Sequence, residues 1–454
     1  MLHQQLFLML SVLIHHDIMA LEDVSNYTFE LYKKDFGRTY QEGDGDYEMR
    51  RSIFNERIAE IQAHNAKQLS WSMGVNDLTD RTQQELKMLN GYKRWMRAIS
   101  SADTKRSSAL INVSDVGNGN GNGNGNGNGD GTACSAHQQV CANSQTPCCN
   151  GLVCGARGQC EDVTEFPKSH DWSEILPTGA EVLNQGSCGS CWAVASVAAL
   201  QMQAVINTKH RFRKQLSAQN LLSCTPNPYE CGGQGGCQGA TAELAFQWLL
   251  KAGPGVHTMD QQPYTASETA ESCPASAQAS SLWSKTSFLN RRAMPRKPSG
   301  PAISITGWKK LKENSGEEMM KHLVTVGPLV GSVVGDGLYH YSSGIIPRCE
   351  SNVMDHAILM MGYGRDNNKN MNYWKVRNSW GTGWGEKGFF RLQRFYPDAA
   401  EPCEMDYQTD KGVGCKDKIG AEGKYPASQK VCGSCAILGD TAYPVGTSVP
   451  EELL

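Results

Sequence analysis

The tetrapeptide CGSC occurs twice, at Cys188–Cys191 and at Cys432–Cys435. Such a C-x-x-C pair serves as a redox couple, half of a zinc site, two disulfide halves, or a nucleophile beside a structural cysteine. The residues that follow separate the two copies. In NQGSCGSCWAVASVAAL, 184–200, a glycine-rich turn ends at Cys191 and an apolar helical run begins there. A thiol at a helix N-terminus meets the positive end of the macrodipole, which favours the nucleophilic thiolate. A nucleophile also needs a base, a group that orients the base, and donors for an oxyanion. Gln185 can donate its side-chain amide to an oxyanion beside the Cys191 backbone N–H. His356 opens an apolar, strand-like run in VMDHAILMMGYG, a good place to hold an imidazole. Asn378, in KVRNSWGTGWG, can accept a hydrogen bond from that ring and fix its tautomer, and Trp380 can shield the bond from water. No helix or histidine follows the second CGSC.

Together, QGSCGSCWA, DHA and RNSWGTGWGEKGFFRL resemble the three active-site blocks of papain-like cysteine proteases, in the same order, over roughly 165–454. The resemblance implies an α+β fold of two domains, one helical and one β-barrel-like, with the active cleft between them. It makes Cys191 the nucleophile, His356 its general base and acid, Asn378 the residue that orients His356, and Gln185 the oxyanion donor. The mechanism it implies is attack of a Cys191 thiolate, ion-paired with the His356 imidazolium, on a peptide carbonyl. Protonation of the leaving amine by His356 and hydrolysis of the thioester follow. The loop Gly239-Ala240-Thr241-Ala242 is placed along the P2 subsite, with Asp355 and Trp380 also among the substrate-binding residues. Asp440, five residues beyond Cys435, falls where cathepsin B carries an acid at the subsite floor, which implies tolerance of Arg or Lys at P2 beside apolar residues. No occluding loop like that of cathepsin B is evident, so cleavage as an endopeptidase is expected.

In the same reading Cys188 pairs with Cys237, Cys224 with Cys273, and Cys349 with Cys435, while Cys231, Cys403, Cys415 and Cys432 stay unassigned. The chain has 17 cysteines. Sixteen can pair, and the odd one is Cys191, as a free catalytic thiol requires. Both cysteines of the second CGSC are then structural, the alternative being a zinc site drawing on both copies.

The elements that must position these residues begin upstream. In GDYEMRRSIFNERIAEIQAHNA, 45–66, Arg50, Phe54, Ile61 and Asn65 share one helix face. With Asp46 and Arg57 they resemble the ERFNIN pattern of cathepsin L-type inhibitory propeptides, Asp standing for the first Glu and Arg for the first Asn. Gly74, Asn76, Leu78 and Asp80 match the accompanying GxNxFxD pattern with Leu for Phe. The resemblance implies a zymogen whose propeptide lies backwards across the cleft. Residues 117–131, GNGNGNGNGNGNGDG, cannot pack and read as a tether. Beyond it, 134–160 holds six cysteines with knottin-like spacing, implying Cys134–Cys149, Cys141–Cys154 and Cys148–Cys160. The expected divisions are a signal peptide over 1–20, the propeptide over 21–110, a linker over 111–132, the knottin-like module over 133–161 and the peptidase over 164–454.

The apolar run Leu6–Ile14 is too short to span a bilayer and suits a signal-peptide core. The cysteine count fits an oxidising compartment, and sequons at Asn26 and Asn112 fit glycosylation on a secreted or lysosomal route. A net charge of -3 gives no reason to expect a nucleic-acid partner. The expected partners are protein or peptide substrates and the chain's own propeptide, for a monomer with no membrane span, cofactor or metal. Two rivals stand: a secreted binding or toxin-like protein in which the knottin-like module acts, and a peptide-ligating acyl transferase using the same thioester. A basic, turn-rich stretch at 274–302 reads as a surface loop or processing site.

Overall fold

Amphipathic spacing in the first segment is satisfied by a small helical unit. The structure, a computed structural model, describes residues 24–91, 166–177, 181–251, 255–267 and 300–454, with the backbone of 152–154 and 160–162. Helix α1 (Phe29–Asp35) packs on the long α2 (Gly45–Asn65). Phe29, Tyr32, Tyr47, Phe54, Ile61 and Val75 form its core. The ERFNIN-like face divides its work. Phe54 and Ile61 are buried, and Arg50 forks onto Glu85 at 2.5 and 2.8 Å. Asn65 brackets the backbone of Met73 through two hydrogen bonds of 2.9 Å. Arg57, where the pattern has Asn, pairs with Glu60 instead. Buried Asp80 accepts from Tyr32, Arg38 and Tyr40, tying α1 to the end of the GxNxFxD-like turn.

Strand β1 (Trp71–Met73) and helix α3 (Gln83–Leu89) carry this unit onto the rest of the chain. A capping box starts α3: Glu85 N–H donates to Thr82 Oγ1, and the Glu85 carboxylate accepts from Thr82 N–H. Strands β2 (Leu152–Cys154) and β3 (Cys160–Asp162) form a short hairpin setting Cys154 opposite Cys160. The signal segment, Asn112, the tether, Cys134, Cys141, Cys148, Cys149, Cys273 and most of the basic stretch lie outside the described residues. Asn26 is exposed.

The larger unit begins with β4 (His170–Asp171) and α4 (Trp172–Ile175). Next come α5 (Cys191–Asn207), α6 (Gln219–Cys224) and α7 (Ala242–Lys251). Helix α5 is apolar all round and almost wholly buried, as a helix at the centre of a core must be. It forms one hydrophobic cluster with α6 and α7. Strand β5 (Gly307–Lys309) and helix α8 (Gly316–Thr325) lead to β6 (Leu329–Val333), β7 (Tyr341–Ile346), β8 (His356–Asp366), β9 (Met371–Arg377) and β10 (Phe389–Gln393). Strands β11 (Cys403–Asp406) and β12 (Gln429–Cys432) form a separate hairpin, and β13 (Thr441–Val445) ends the sheet.

The sheet order is β1-β7-β10-β9-β8-β6-β13-β5, with β4 on β8. Only β7 and β10 run parallel. Its side chains build a second cluster around Trp374, Trp384 and Phe390. The propeptide supplies the edge strand, with Trp71 opposite Gly344 in antiparallel register. Backbone pairing thus fixes where the propeptide lies before any side chain contributes.

Candidate active site

Cys191 is the first residue of α5, and His356 the first residue of β8, which packs on that helix. Asn378 lies just past β9. Pairing of β8 with β9 sets Leu359 opposite Arg377, so His356 and Asn378 meet at one end of the sheet. His356 Nε2 lies 2.8 Å from Asn378 Oδ1, and the Trp380 ring covers the imidazole at 4.8 Å between centroids. The other imidazole nitrogen, Nδ1, is buried without a hydrogen-bond partner. Gln185 is held twice: its Oε1 accepts from Ser379 Oγ at 2.5 Å, and its Nε2 donates to the Cys188 carbonyl. Ser190 Oγ and Tyr264 OH, 2.5 Å apart, brace the turn before α5. Ser379 lies inside the RNSWGTGWG stretch but is given no role of its own by the sequence, and Tyr264 sits in no motif that marks it.

The propeptide fills this site. The Leu89 carbonyl accepts from Gln185 Nε2 at 2.9 Å. Gly91 N–H donates to Cys191 Sγ at 3.2 Å, and Ala357 N–H donates to the same sulfur at 3.3 Å. Asn90 donates to Asp355 Oδ2 and Tyr339 OH, both at 2.9 Å. Asp355 is itself fixed by Gly335 N–H at 2.7 Å. Leu86 and Leu89 enter the cluster that holds Trp380 and Trp384. At the other end the Gly91 carbonyl lies against Gly239, so closely that any side chain there would strike it.

Burial under the propeptide disfavours charge on both groups. Removal from water pushes the Cys191 thiol up to about 12, against the opposing pull of the Ala357 and Gly91 N–H groups. The same burial pushes His356 down to about 4, although its bond to Asn378 works the other way. In the closed zymogen burial thus works against both the thiolate of Cys191 and the imidazolium of His356.

The loop Gly239, Ala240, Thr241, Ala242 leads into α7 beside the Cys188–Cys237 disulfide. Asp440, the expected subsite acid, is not free. Its Oδ1 lies 2.7 Å from Lys310 Nζ, and its Oδ2 accepts from Ser332 Oγ. Lys310 also reaches Glu243, at 3.1 Å. Burial opposes Asp440's charge, yet the attraction of Lys310 outweighs it and holds the carboxyl low. Burial and repulsion from Asp440 push Glu243 up. Lys310 lies 130 residues from Asp440 and belongs to no motif, so only folding shows the pairing.

Of the disulfides expected from the sequence, Cys188–Cys237 and Cys349–Cys435 are present. Cys224 is also disulfide-bonded. The unassigned four resolve as Cys231–Cys415 and Cys403–Cys432. Cys191 is the free cysteine among the described residues. Three of the four CGSC cysteines are thus in disulfides, which removes a zinc site built on both copies.

Residues 166–411 match the papain family of cysteine proteases, more than half of the chain. This chain belongs to that family. Residues 29–86 match the cathepsin propeptide inhibitor domain, so the chain is a papain-like cysteine protease zymogen, a cysteine-type peptidase. It is 28% identical to a cathepsin L of Sarcophaga peregrina over 81% of this chain and 87% of the relative. It is 28% identical to the procathepsin L of Mus musculus over 78% of this chain and 83% of the relative. A digestive procathepsin L2 proteinase from Tenebrio molitor superposes with a TM-score of 0.56 at 22% identity, over 92% of this chain and 98% of that one. At that identity the superposition speaks for the peptidase's fold alone. Among the described residues no helix is long and apolar enough to cross a membrane.

Proposed function

We propose that the chain is a secretory-pathway zymogen of an endopeptidase that hydrolyses peptide bonds through Cys191, His356, Asn378 and Gln185. The observation that carries the reading is the Leu89 carbonyl held by Gln185 Nε2 while Gly91 N–H rests on the Cys191 sulfur. A peptide carbonyl already occupies the place where an oxyanion would form, beside the thiol that is free among the described residues. Once the propeptide leaves, water reaches the site and the thiol and imidazole can exchange a proton to form their ion pair. The thiolate attacks the scissile carbonyl, whose oxygen takes the Leu89 position. His356 protonates the departing amine and then activates water against the thioester. Asn378 fixes the ring through Nε2, leaving Nδ1 for the proton transfers.

At P2 the internal Lys310–Asp440 pair leaves little unbalanced charge, which supports an apolar preference with Arg or Lys as the lesser substrates. The test is acid maturation followed by labelling with an epoxysuccinyl probe. Label on Cys191 alone, with hydrolysis of a Leu-containing peptide that Cys191→Ala abolishes, is the expected result. A matured protein that transfers the acyl group to added amines in preference to water would favour ligation instead.

A further inference from the structure

The segment between β10 and β13 holds a feature that the catalytic chemistry does not use. Strands β11 and β12 form a hairpin closed by Cys403–Cys432, and residues 407–428 connect them. That connection leaves the sheet-containing half of the molecule and is anchored on the helical half. Cys415 is bonded to Cys231, and Gly232 N–H donates to the Gly414 carbonyl at 3.1 Å. Lys416 N–H donates to the Tyr229 carbonyl at 2.9 Å. Buried Lys416 Nζ lies 2.5 Å from Glu230, and Tyr425 OH donates to the Glu230 carbonyl. On the other side, Gly412 lies against Val353 and the Met354 carbonyl, two residues before His356, where no side chain would fit. Val413 packs against both hydrophobic clusters. Gly412-Val413-Gly414 therefore crosses from one wall of the cleft to the other within three residues. The family match ends at 411, just before this crossing.

The propeptide shows which end is crossed. It passes from Leu86 and Leu89, beside Trp380 and Trp384, over Cys191 to Gly91 against Gly239. The Gly232 carbonyl presses on that same Gly239, and Gly232 is the residue bonded to Gly414. The crossing thus lies just past Gly91, at the end flanked by the 239–242 loop, on the acyl side of the scissile bond. From the carbonyl held by Gln185 to Gly91 is two residues, about 7 Å of extended chain.

We propose that residues 407–428 form a strap, stapled by Cys231–Cys415, that closes the acyl end of the cleft. Room remains for two or three residues before the scissile bond. The favoured substrates are peptides whose cleaved bond lies near the amino end, so internal cleavage is confined to bonds that such a short acyl part can reach. The proposal rests on the peptidase reading and narrows it.

The test uses the matured enzyme and aryl-amide peptides with Leu at P2 and two, three, four or six residues before the cleaved bond, with free and acetylated amino ends. The expected kcat/KM falls by about tenfold or more past three residues. The double variant Cys231→Ser, Cys415→Ser should regain most of that loss. So should a second variant with Cys231→Ser and residues 407–428 replaced by an Asn-Gly turn. Both should keep the wild-type rate on the shortest peptide. A wild-type profile level through six residues, with Cys191 fully labelled by the epoxysuccinyl probe, overturns the strap alone. Absence of both label and hydrolysis overturns the peptidase reading beneath it.

Discussion

Gly91 offers a clean probe of how the propeptide silences the thiol. A Cβ built on Gly91 would lie 2.5 Å from the Gly189 carbonyl oxygen and 2.6 Å from Cys191 Sγ. Ordinary contacts start near 3.4 Å, so the overlap is close to 1 Å on each. Neither neighbour can yield: Gly189 is backbone tied to the Cys237 carbonyl, and Cys191 begins a buried helix. The propeptide must lift instead, which stretches the 3.2 Å bond from Gly91 to the sulfur and the 2.9 Å bond from Gln185 to Leu89. Overpacking of this kind costs about 1–3 kcal/mol, or roughly a 5- to 150-fold shift towards the open zymogen. The assay is alkylation of Cys191 by iodoacetamide at neutral pH in purified zymogen, read by intact mass. Gly91→Ala should alkylate faster by that factor, while the melting temperature of the peptidase part stays unchanged. An alkylation rate equal to wild type would refute the reasoning, because the propeptide would then not be what buries the thiol.

Arg50→Met should weaken the propeptide by removing the fork on Glu85, and should speed autoprocessing at pH 5–6 several-fold in a timed gel assay. The same pair gives a pH dependence. The hydrogen bond from Arg50 is the largest influence holding Glu85 down, to about 2 against 4.5 when unfolded. Its stabilisation is complete above pH 4.5 and is lost as pH falls from there towards 2. It amounts to about 1 kcal/mol once solvent screening near the surface is allowed for. Propeptide hydrogen exchange should therefore rise below pH 4.5 in wild type, and less so in Glu85→Gln. Gln185→Ala should lower kcat by about 10²- to 10³-fold in steady-state peptide hydrolysis, with the fold unchanged by circular dichroism. Lys310→Met should leave Asp440 without its counter-ion and raise the Arg-to-Leu ratio at P2. An unchanged ratio on paired peptides would remove Asp440 from the subsite.

Much of the candidate site is legible in the sequence because the chemistry proposed for it demands particular residues in local settings. A thiol at the start of an apolar helix, a histidine opening an apolar strand and an asparagine before a tryptophan each sit in a short stretch whose pattern also dictates its element. The propeptide helix was legible for the same reason, since Phe54, Ile61 and Asn65 recur at the helical period. An odd cysteine count leaves one thiol over, and the residues around Cys191 say which. The tertiary structure decided what depends on residues far apart in the chain. Lys310 meets Asp440 because β5 and β13 are neighbouring strands. Cys415 meets Cys231 because a hairpin connection crosses the cleft. The upward push on the thiol and the downward push on the imidazole follow from burial, and burial belongs to the packed assembly. Local pattern sets which groups are available, whereas desolvation and long-range pairing set their charge and reach, and these exist only once the chain has closed on itself.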